Sequence, residues 1–549
     1  MTSNGPTSPD GLGDRLIAFL STTLAGRVRL RVALHLIPYL FFLYVLAYLD
    51  RVNVSVAQLA MNQPPLSATI TSAVGLAAAP RGRGVVAAVG PFVANSANPF
   101  DPGGLGFSLD VIGFGAGIFF WGYWILEIPS TVSVVKWGAR YVFVRILVLW
   151  GLCATLIGFI GLPLVAALFS WLPQLPETGP SFLAASFHYV NHLHDKPEYQ
   201  FYFFRFLLGF FEGGFFPSVI VYLSHWFRPE DRAKAIATFM VAIPLSSALG
   251  MPVSGLLLGV NWLGLAGWRW IFILQGVAPI LAGVATLFFL PDRPHKAKWL
   301  PPEERDWLVA ELEREHQSKQ GHGHWAWVHH LGMVLLLTAV YFCLNFTSYG
   351  LSMFMPAIIK SQSGASDLMA SCLAMLVYTM GAVGMLVNGW HSDRSGERIW
   401  HVAVPLTLMS VGIWLAAAVD GVPVLPVLVM VLAVGTFHYA HLPAFWPIPT
   451  MFLGATAAAS AIGFINMIGN LGGSVGPMMV GHVSTGQASF APALLRLAPW
   501  PLVAAVIILI VGYVRRKRPV AAPPAGANGA ASSEAIQADL RSITTEPGE

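Results

Sequence analysis

The stretch VALHLIPYLFFLYVLAYLDRVNVS, residues 32–55, decides the class of this fold. Its first eighteen residues contain no Asp, Glu, Lys or Arg, and Asp50 and Arg51 follow them directly. An α-helix needs about 20 mainly apolar residues to cross the roughly 30 Å of hydrocarbon in a bilayer. The stretch therefore predicts a membrane-spanning helix that carries an adjacent acid and base.

The composition of the whole chain supports the same class. Of its 549 residues, 55% are hydrophobic and 11% are charged, whereas soluble domains carry about 25% charged residues. Apolar runs of membrane-spanning length recur, and the short alternating segments of a transmembrane β-barrel do not dominate. The sequence contains no phosphate-binding loop, zinc-protease motif or nucleophile elbow. We therefore predict an all-α membrane protein that is not an enzyme and needs no cofactor.

Twelve membrane-spanning segments are predicted from the apolar runs. They lie near residues 32–61, 109–132, 141–168, 198–224, 233–260, 267–290, 327–357, 367–389, 400–419, 423–446, 454–481 and 493–514. The only long charged stretch, residues 291–320, separates the sixth from the seventh, and its spacing of acids and bases predicts an amphipathic helix on the membrane surface. Six spans, a connector and six more spans predict two six-helix bundles.

The distribution of basic residues predicts the orientation. Most Lys and Arg fall in one alternate set of connections, which includes both ends of the chain and the central connector, so these are predicted to be cytoplasmic. The predicted organisation is a cytoplasmic tail (1–30), a first bundle (31–290) with long outward loops near 62–108 and 169–197, a cytoplasmic connector (291–326), a second bundle (327–514) and a disordered cytoplasmic tail (515–549).

Four charged side chains are predicted within the hydrocarbon region: Asp50 and Arg51 on the first span, and Arg205 and Glu212 on the fourth. An ionised group at mid-bilayer costs at least about 2.5–3.5 kcal/mol, so it needs a partner or a wet cavity. Asn53 shares a helix face with Asp50. Arg205 and Glu212 share a face but lie roughly 10 Å apart along the helix axis. We expect the four charges to border one aqueous cavity.

This arrangement suits the coupled movement of an anion and protons. The guanidinium of arginine matches a carboxylate through two parallel hydrogen bonds. Whether a buried acid is protonated depends on whether a nearby arginine is engaged by another anion. Anion binding and proton binding would then influence each other. The alternative is that the four charges form static ion pairs that fix helix packing.

The candidate substrate-binding residues combine the two arginines with uncharged polar side chains from both halves. They are Arg51, Arg205, Tyr48, Asn53, Tyr123, Tyr349, Asn345, Asn466 and Asn470. Asn466 and Asn470 are four residues apart and share one helix face, where they could bind hydroxyl groups or only join helices. Glu127, near the cytoplasmic end of the second span, is expected to act in gating or packing rather than in substrate contact.

One loop resembles a signature of the major facilitator superfamily. NGWHSDRSGER, residues 388–398, is similar to its cytoplasmic loop signature, and the residues that match are Gly389, Asp393, Arg394, Gly396, Glu397 and Arg398. The equivalent loop of the first half, PSTVSVVKWGARYVF, keeps Gly138 and Arg140 but lacks the acid. The resemblance implies the major facilitator fold, with twelve transmembrane helices in two six-helix bundles and the second-half loop acting in gating.

Four further motifs narrow the resemblance. YLDRVNVS, FFWGYWILEIPS, RFLLGFFEGGFFPSVIVYLSHWF and LPDRPHKAKWLPPEER resemble the anion:cation symporter family, over nearly all of residues 30–515. That family includes bacterial carriers of sugar acids, tartrate and phthalate. The resemblance implies that Asp50 and Glu212 couple transport to protons, that Arg51 and Arg205 hold the substrate anion, and that an asparagine of the eleventh span contacts the substrate. The two long outward loops have no counterpart in a typical member.

The sequence thus predicts a proton-coupled secondary transporter that takes up a small organic anion, a carboxylate or sugar acid, by alternating access. The expected location is a bacterial inner (plasma) membrane. The expected partners are the anion, protons and the lipid bilayer, without nucleic acid, and a monomer is expected. Two alternatives remain open: a proton-driven efflux carrier for a hydrophobic compound, and a non-transporting receptor built on a transporter fold.

A group of histidines in the second long outward loop could bind a metal ion. His188, His192, His194 and Asp195 offer suitable ligand types, and the first two are four residues apart. A polar loop without regular structure explains the same residues and is the favoured interpretation. No metal site is therefore predicted.

Overall fold

The computed structural model describes residues 23–64, 103–177, 181–318, 326–453 and 455–517. Eleven helical segments in these ranges are long and apolar enough to cross a membrane. Each coincides with a predicted span, and the predicted span without such a helix is 454–481. The predicted terminal tails, apart from a few residues next to the helices, and most of the first long outward loop lie outside the described residues.

The described part of the first half consists of helices and the connections between them. In chain order they are α1 (Leu24–Met61), α2 (Leu109–Trp137), α3 (Ala139–Ile157), α4 (Pro163–Phe169), α5 (Ser181–Asn191), α6 (Pro197–Glu212), α7 (Phe215–Ser224), α8 (Pro229–Met240), α9 (Ala242–Leu258), a 3-10 turn (Trp262–Gly264) and α10 (Gly267–Phe289). The fourth span is interrupted between α6 and α7, where Gly214 has a φ of +85° and a Cβ would lie 2.3 Å from the Cβ of Ser130. Only glycine fits this conformation and this spacing.

The connector and the second half are also helical. In chain order they are a 3-10 turn (Pro294–Lys296), α11 (Pro302–Ser318), a 3-10 turn (Ala326–His330), α12 (Leu331–Ser363), α13 (Asp367–Ser395), α14 (Ile399–Ala418), α15 (Leu425–Val429), a π-helix (Met430–Gly435), α16 (Thr436–His438), α17 (Leu442–Phe445), a 3-10 turn (Ile448–Met451), α18 (Ala455–Gly469), α19 (Gly472–Ser484), α20 (Ala491–Leu497) and α21 (Pro499–Lys517). The tenth span is thus built from several short helical pieces rather than one regular helix.

The first helix begins earlier than predicted. α1 starts at Leu24, because the side chain of Thr23 accepts a hydrogen bond from the Gly26 backbone N–H at 3.2 Å and caps the helix. Residues 24–30, which the sequence placed in the cytoplasmic tail, are therefore helical. Pro38 lies inside α1 without ending it.

The eleventh span is two half-helices, which corrects the prediction of one continuous helix over 454–481. α18 ends at Gly469 and α19 begins at Gly472. A Cβ on Gly469 would lie 2.4 Å from the Tyr341 ring, and a Cβ on Gly472 would lie 2.2 Å from the Phe342 carbonyl oxygen. Glycine at the break lets both half-helices approach α12 closely. The break leaves Asn470 between the two halves.

The connector helix packs on the first half. Glu304 of α11 accepts a hydrogen bond from Arg31 of α1 at 2.9 Å, and Glu315 pairs with Arg232 of α8 at 3.0 Å. The Trp299 ring, just before α11, stacks on His35 of α1 with a centroid distance of 4.0 Å. The connector thus contains a helix, α11, which these contacts tie to the first half.

The two halves are in close contact at the end that the predicted topology places outside. A Cβ on Gly113 of α2 would lie 2.5 Å from the Pro477 carbonyl oxygen of α19. A Cβ on Gly255 of α9 would lie 2.8 Å from the Cβ of Ser371 on α13. Small residues allow this close helix approach. These contacts close one end of the space between the halves.

Candidate functional site

A cavity of about 80 Å³ lies between the two halves. Seven of the predicted substrate-binding residues line it: Arg51, Tyr48, Tyr123, Asn345, Tyr349, Asn466 and Asn470. Sites for drug-sized ligands usually measure about 300–1,000 Å³. The cavity is smaller than such a site.

Arg51 lines the cavity wall directly. Its Nε donates to Oε1 of Glu212 at 2.7 Å, and its Nη2 lies 2.6 Å from the same oxygen. Its Nη1 donates to the Tyr349 hydroxyl of the second half at 3.1 Å. The rings of Tyr48 and Tyr123 each lie 5.1 Å from its guanidinium carbon. Arg51 therefore joins the two halves, and its guanidinium is engaged by the acid Glu212.

Asp50 lies behind the cavity wall. Its side chain is fully buried, and it accepts hydrogen bonds from the Trp150 indole N–H of α3 and from Asn53 Nδ2, the latter at 2.6 Å. Asn53, predicted to contact substrate, thus contacts Asp50 instead of lining the cavity. The sequence analysis missed Trp150, because a tryptophan in an apolar run carries no signal of which side chain its N–H reaches.

Arg205 is fully buried and has few partners. Its Nε donates to the Gly115 carbonyl oxygen at 3.2 Å, whereas Nη1 and Nη2 have no hydrogen-bond partner within the described ranges. The Phe119 ring lies 5.1 Å from its guanidinium carbon and 5.7 Å from that of Arg51. A buried cation with unused donors is costly, which makes Arg205 a candidate for a functional role.

The structure differs from the expectation that four charges border one chamber. Arg51 lines the cavity directly, and Glu212 lies behind it as its ion-pair partner. Asp50 and Arg205 are buried away from the wall. The four therefore form an inner layer at the cavity, made of Arg51 and Glu212, and an outer layer enclosed by aromatic side chains.

The wall from the second half is a polar network. Asn345 Nδ2 donates to the Gly469 carbonyl oxygen at 3.2 Å and lies 3.3 Å from Asn470 Oδ1. Asn466 Nδ2 donates to Oε1 of Glu127 on α2. Glu127, expected to act in gating or packing, therefore makes a contact between the two halves. Asn466, within α18, and Asn470, at the α18–α19 break, both line the cavity.

His441 is a wall residue that the sequence analysis missed. It is 2% exposed, lines the cavity, and its Nδ1 has no hydrogen-bond partner among the described atoms. It lies in the irregular tenth span, shortly after the π-helix Met430–Gly435. Such π-segments are frequent at functional sites. The cluster HYAH, residues 438–441 in an apolar span, was the available sequence signal.

The predicted gating loop of the second half is held by its own side chains. Arg398 Nη1 lies 2.6 Å from Oδ1 of Asp393, and Gly396 ends α13 with a φ of +68°. Glu397 accepts hydrogen bonds from the Trp400 backbone N–H at 2.9 and 3.0 Å and caps α14. Partial burial acts to raise the pKa of Glu397, but these hydrogen bonds and those from His401 outweigh it and lower the pKa below its ordinary value.

In the corresponding loop of the first half, the acidic side chain comes from the connector. Oδ1 of Asp292, in the connector, accepts a hydrogen bond from the Arg140 backbone N–H at 2.9 Å. Arg140 Nε donates to the Leu290 carbonyl oxygen at 2.8 Å. Gly138 has a φ of +90°, and a Cβ there would lie 2.7 Å from Asp292. An acid that the sequence lacks at the loop itself is thus supplied by the start of the connector.

Two helical halves around a central cavity that is closed at one end define a secondary membrane transporter. The chain belongs to the major facilitator superfamily, since the family model described as Major Facilitator Superfamily matches residues 40–477. It is therefore a multi-pass membrane transporter and not an enzyme.

Three related proteins align with most of this chain. A protein of Agrobacterium vitis named "Putative tartrate transporter" is 35% identical over 90% of this chain and 93% of its own length. The "Quinolone resistance transporter" of Acinetobacter baumannii is 30% identical over 89% of this chain and 95% of its own. The "Inner membrane transport protein RhmT" of Escherichia coli is 29% identical over 91% and 98%.

Solved structures share the fold at low sequence identity. A bacterial homologue of the human lysosomal transporter Spinster, in an inward-facing and occupied conformation, matches with a TM-score of 0.59 and 15% identity over 88% of this chain and 98% of that chain. A D-xylose–proton symporter matches with a TM-score of 0.58 and 16% identity over 87% and 96%. At this identity the matches show the fold alone.

Proposed function

We propose that this protein is a proton-coupled transporter that takes up a small organic anion, a carboxylate or sugar acid, across a bacterial inner membrane, with both termini in the cytoplasm. The observation that carries the proposal is Arg51, a guanidinium in the wall of the central cavity. Its donors match a carboxylate. The neighbouring polar groups of the second half suit the hydroxyl groups of such a substrate.

The ion pair between Arg51 and Glu212 supplies a route to coupling. While Glu212 is ionised, it occupies the guanidinium and competes with an incoming carboxylate. A proton on Glu212 weakens that pair and frees Arg51 for the substrate. The loaded site then carries no net uncompensated charge through the closed state, which keeps the cost of crossing the hydrocarbon low. Asp50 is proposed to hold a second proton or to relay it.

The names of the relatives support an organic anion as the substrate, but one of them also favours a second candidate function. The name of the Agrobacterium vitis relative points to tartrate, a hydroxylated dicarboxylate, as the class of substrate. The quinolone resistance relative favours a second candidate, proton-driven efflux of a hydrophobic compound. The many aromatic side chains in the wall, among them Tyr44, Tyr341, Tyr439 and Trp446, fit that candidate as well.

A ligand panel separates the two candidates. We expect hydroxylated mono- and dicarboxylates to raise the apparent stability of the purified protein, because a ligand of the native state at about 100 times its Kd adds about 2.7 kcal/mol. The best ligand should accumulate in proteoliposomes when the outside is acidic. Stabilisation by quinolones alone, with no response to any carboxylate, would instead establish the efflux candidate.

His441 is expected to contact the substrate. Replacement of His441 by alanine should raise KM for the carboxylate about two- to tenfold, because one neutral hydrogen bond contributes about 0.5–1.5 kcal/mol. His438 is the matched control, since it is buried three residues away but does not line the cavity. His438→Ala should lower the unfolding temperature without changing KM. An unchanged KM in His441→Ala would remove His441 from the site.

A further inference from the structure

The second long outward loop is folded rather than irregular. It contains the helix α5, Ser181–Asn191, in place of the polar loop without regular structure that was considered for its histidines. Asn191, which is 6% exposed, accepts a hydrogen bond from the Leu175 backbone N–H at 2.8 Å and donates to the Leu175 carbonyl oxygen at 2.9 Å. It also donates to Oε1 of Glu177 at 3.0 Å. The segment that carries Glu177 is thereby fixed against the end of α5.

Two histidines of the same turn face this acid. The His192 backbone N–H donates to the His188 carbonyl oxygen at 3.2 Å, so the helical geometry extends to His192 and both imidazoles lie on one side. Their ring centroids are 4.5 Å apart, and Nδ1 of His188 lies 3.1 Å from Oε2 of Glu177. One possible ligand atom from each of the three residues lies within 4.8 Å of the others.

We propose that Glu177, His188 and His192 form a binding site for Zn²⁺. Two imidazole nitrogens and one carboxylate oxygen are a common donor set for this ion, with water in the fourth position. Bond lengths of about 2.0–2.2 Å place tetrahedral ligands about 3.4 Å apart, so the side chains must close in slightly. All three are partly exposed, which leaves them room to do so and leaves water access to the fourth position.

The residues around the three ligands already have the arrangement that metal sites need. Nδ1 of His192 lies 3.2 Å from Asp195, and a carboxylate behind a zinc-bound histidine fixes its ring orientation and tautomer. Asn191 holds the Glu177 carboxylate in the same way.

The site is joined to the fourth span. The Tyr189 hydroxyl of α5 donates to the Tyr199 carbonyl oxygen at 2.8 Å, and Gln200 Nε2 donates to the Leu193 carbonyl oxygen at 2.9 Å. Tyr199 and Gln200 belong to α6, the helix that also carries Arg205 and Glu212. Zn²⁺ binding would therefore stabilise the connection between the loop and this helix.

The test is direct titration of the full-length protein, purified with a tag that contains no histidine. Zn²⁺ alone is titrated against a competing chromophoric chelator, and Co²⁺ is added in parallel for the visible absorption of a tetrahedral site. We expect one Zn²⁺ per chain. Asn191→Ala should weaken binding about 10- to 100-fold, as loss of an outer-shell partner does, and His188→Ala/His192→Ala should weaken it at least as much.

His194 provides the matched control. It is adjacent in sequence, half-exposed and near Asp195, but it is not one of the three proposed ligands. His194→Ala should leave the Zn²⁺ affinity and the Co²⁺ spectrum unchanged. Full Zn²⁺ binding by the His188→Ala/His192→Ala variant would overturn the proposal. So would loss of binding only after replacement of the histidines in HGHWAWVHH, residues 322–330, the other histidine-rich stretch of the chain.

Discussion

Replacement of Arg51 by glutamine is expected to raise the Kd for the transported carboxylate about 10- to 100-fold and to stop its uptake. Hydrogen bonds to a charged group contribute about 1.5–3 kcal/mol, and 1.4 kcal/mol corresponds to a tenfold change in Kd. Arg51→Lys keeps the charge but loses the planar pair of donors, so it should bind with intermediate affinity. Calorimetric titration of the purified variants and initial uptake rates in proteoliposomes measure both effects.

A second variant is needed because Arg51 forms an ion pair with Glu212. Loss of Arg51 alone leaves the Glu212 carboxylate buried without its partner, and breaking such a pair costs about 3–5 kcal/mol of stability. The double variant Arg51→Gln/Glu212→Gln removes both charges and should be more stable than the single variant while still failing to bind carboxylate. Tight carboxylate binding by the double variant would show that the anion site lies elsewhere.

Arg269 offers a matched control for the loss of a buried arginine. It is fully buried in α10, where Nη1 donates to the carbonyl oxygens of Gly158 and Ile160 at 3.1 and 2.8 Å, and it does not line the cavity. Arg269→Gln should therefore lower the unfolding temperature and leave the Kd for carboxylate unchanged. A shared loss of affinity in both arginine variants would indicate a general loss of folding rather than a lost contact.

Replacement of Asp50 by asparagine is expected to abolish accumulation driven by a proton gradient and to leave exchange of labelled for unlabelled substrate. The variant keeps the size of the side chain and a carbonyl oxygen that can accept from Asn53 or Trp150. It cannot take up or release a proton. Because Asp50 lies outside the cavity wall, substrate affinity should change little. Uptake and counterflow in the same proteoliposomes separate the two outcomes.

Asp110 is the control acid for this experiment. It lies at the start of α2 with an exposed side chain and contacts His482 at 3.4 Å. Exposed pairs of this kind contribute little, about 0–1 kcal/mol, so Asp110→Asn should transport normally. Undiminished gradient-driven accumulation by Asp50→Asn would contradict a role of Asp50 in proton coupling.

The spans could be predicted because each apolar run has to cross the bilayer by itself. Its length and composition are local properties, so α1 and α12 are evident from their own residues. The eleventh span was predicted as continuous because its residues are mainly apolar along its whole length. The position of its break depends on contacts with another helix, which the sequence of the span does not show. Gly469 and Gly472 fit closely against Tyr341 and Phe342 of α12, and only the packed structure shows those neighbours.

The charged residues of the site were identifiable for the same local reason, but their pairing was not. An ionised side chain in an apolar run has a high cost of burial wherever the run lies in the fold. The sequence alone therefore identifies the four candidate charges, which are Asp50, Arg51, Arg205 and Glu212. Apart from Asn53, their hydrogen-bond partners lie 90 to 298 positions away, such as Trp150 for Asp50 and Tyr349 for Arg51. Sequence spacing on a single helix carries no information about contacts of that range.

The sequence by itself determined a membrane protein of two helical halves, its family resemblance, and the charged residues within its apolar spans. The length of an apolar segment and the cost of burying a charge in it are properties of each segment by itself, so the amino-acid sequence is enough to show them. Only the tertiary structure decided which charge lines the cavity, which acid holds it, and that Glu177 meets two histidines of α5. Those facts depend on directional contacts between distant segments, which exist only after the helices have packed.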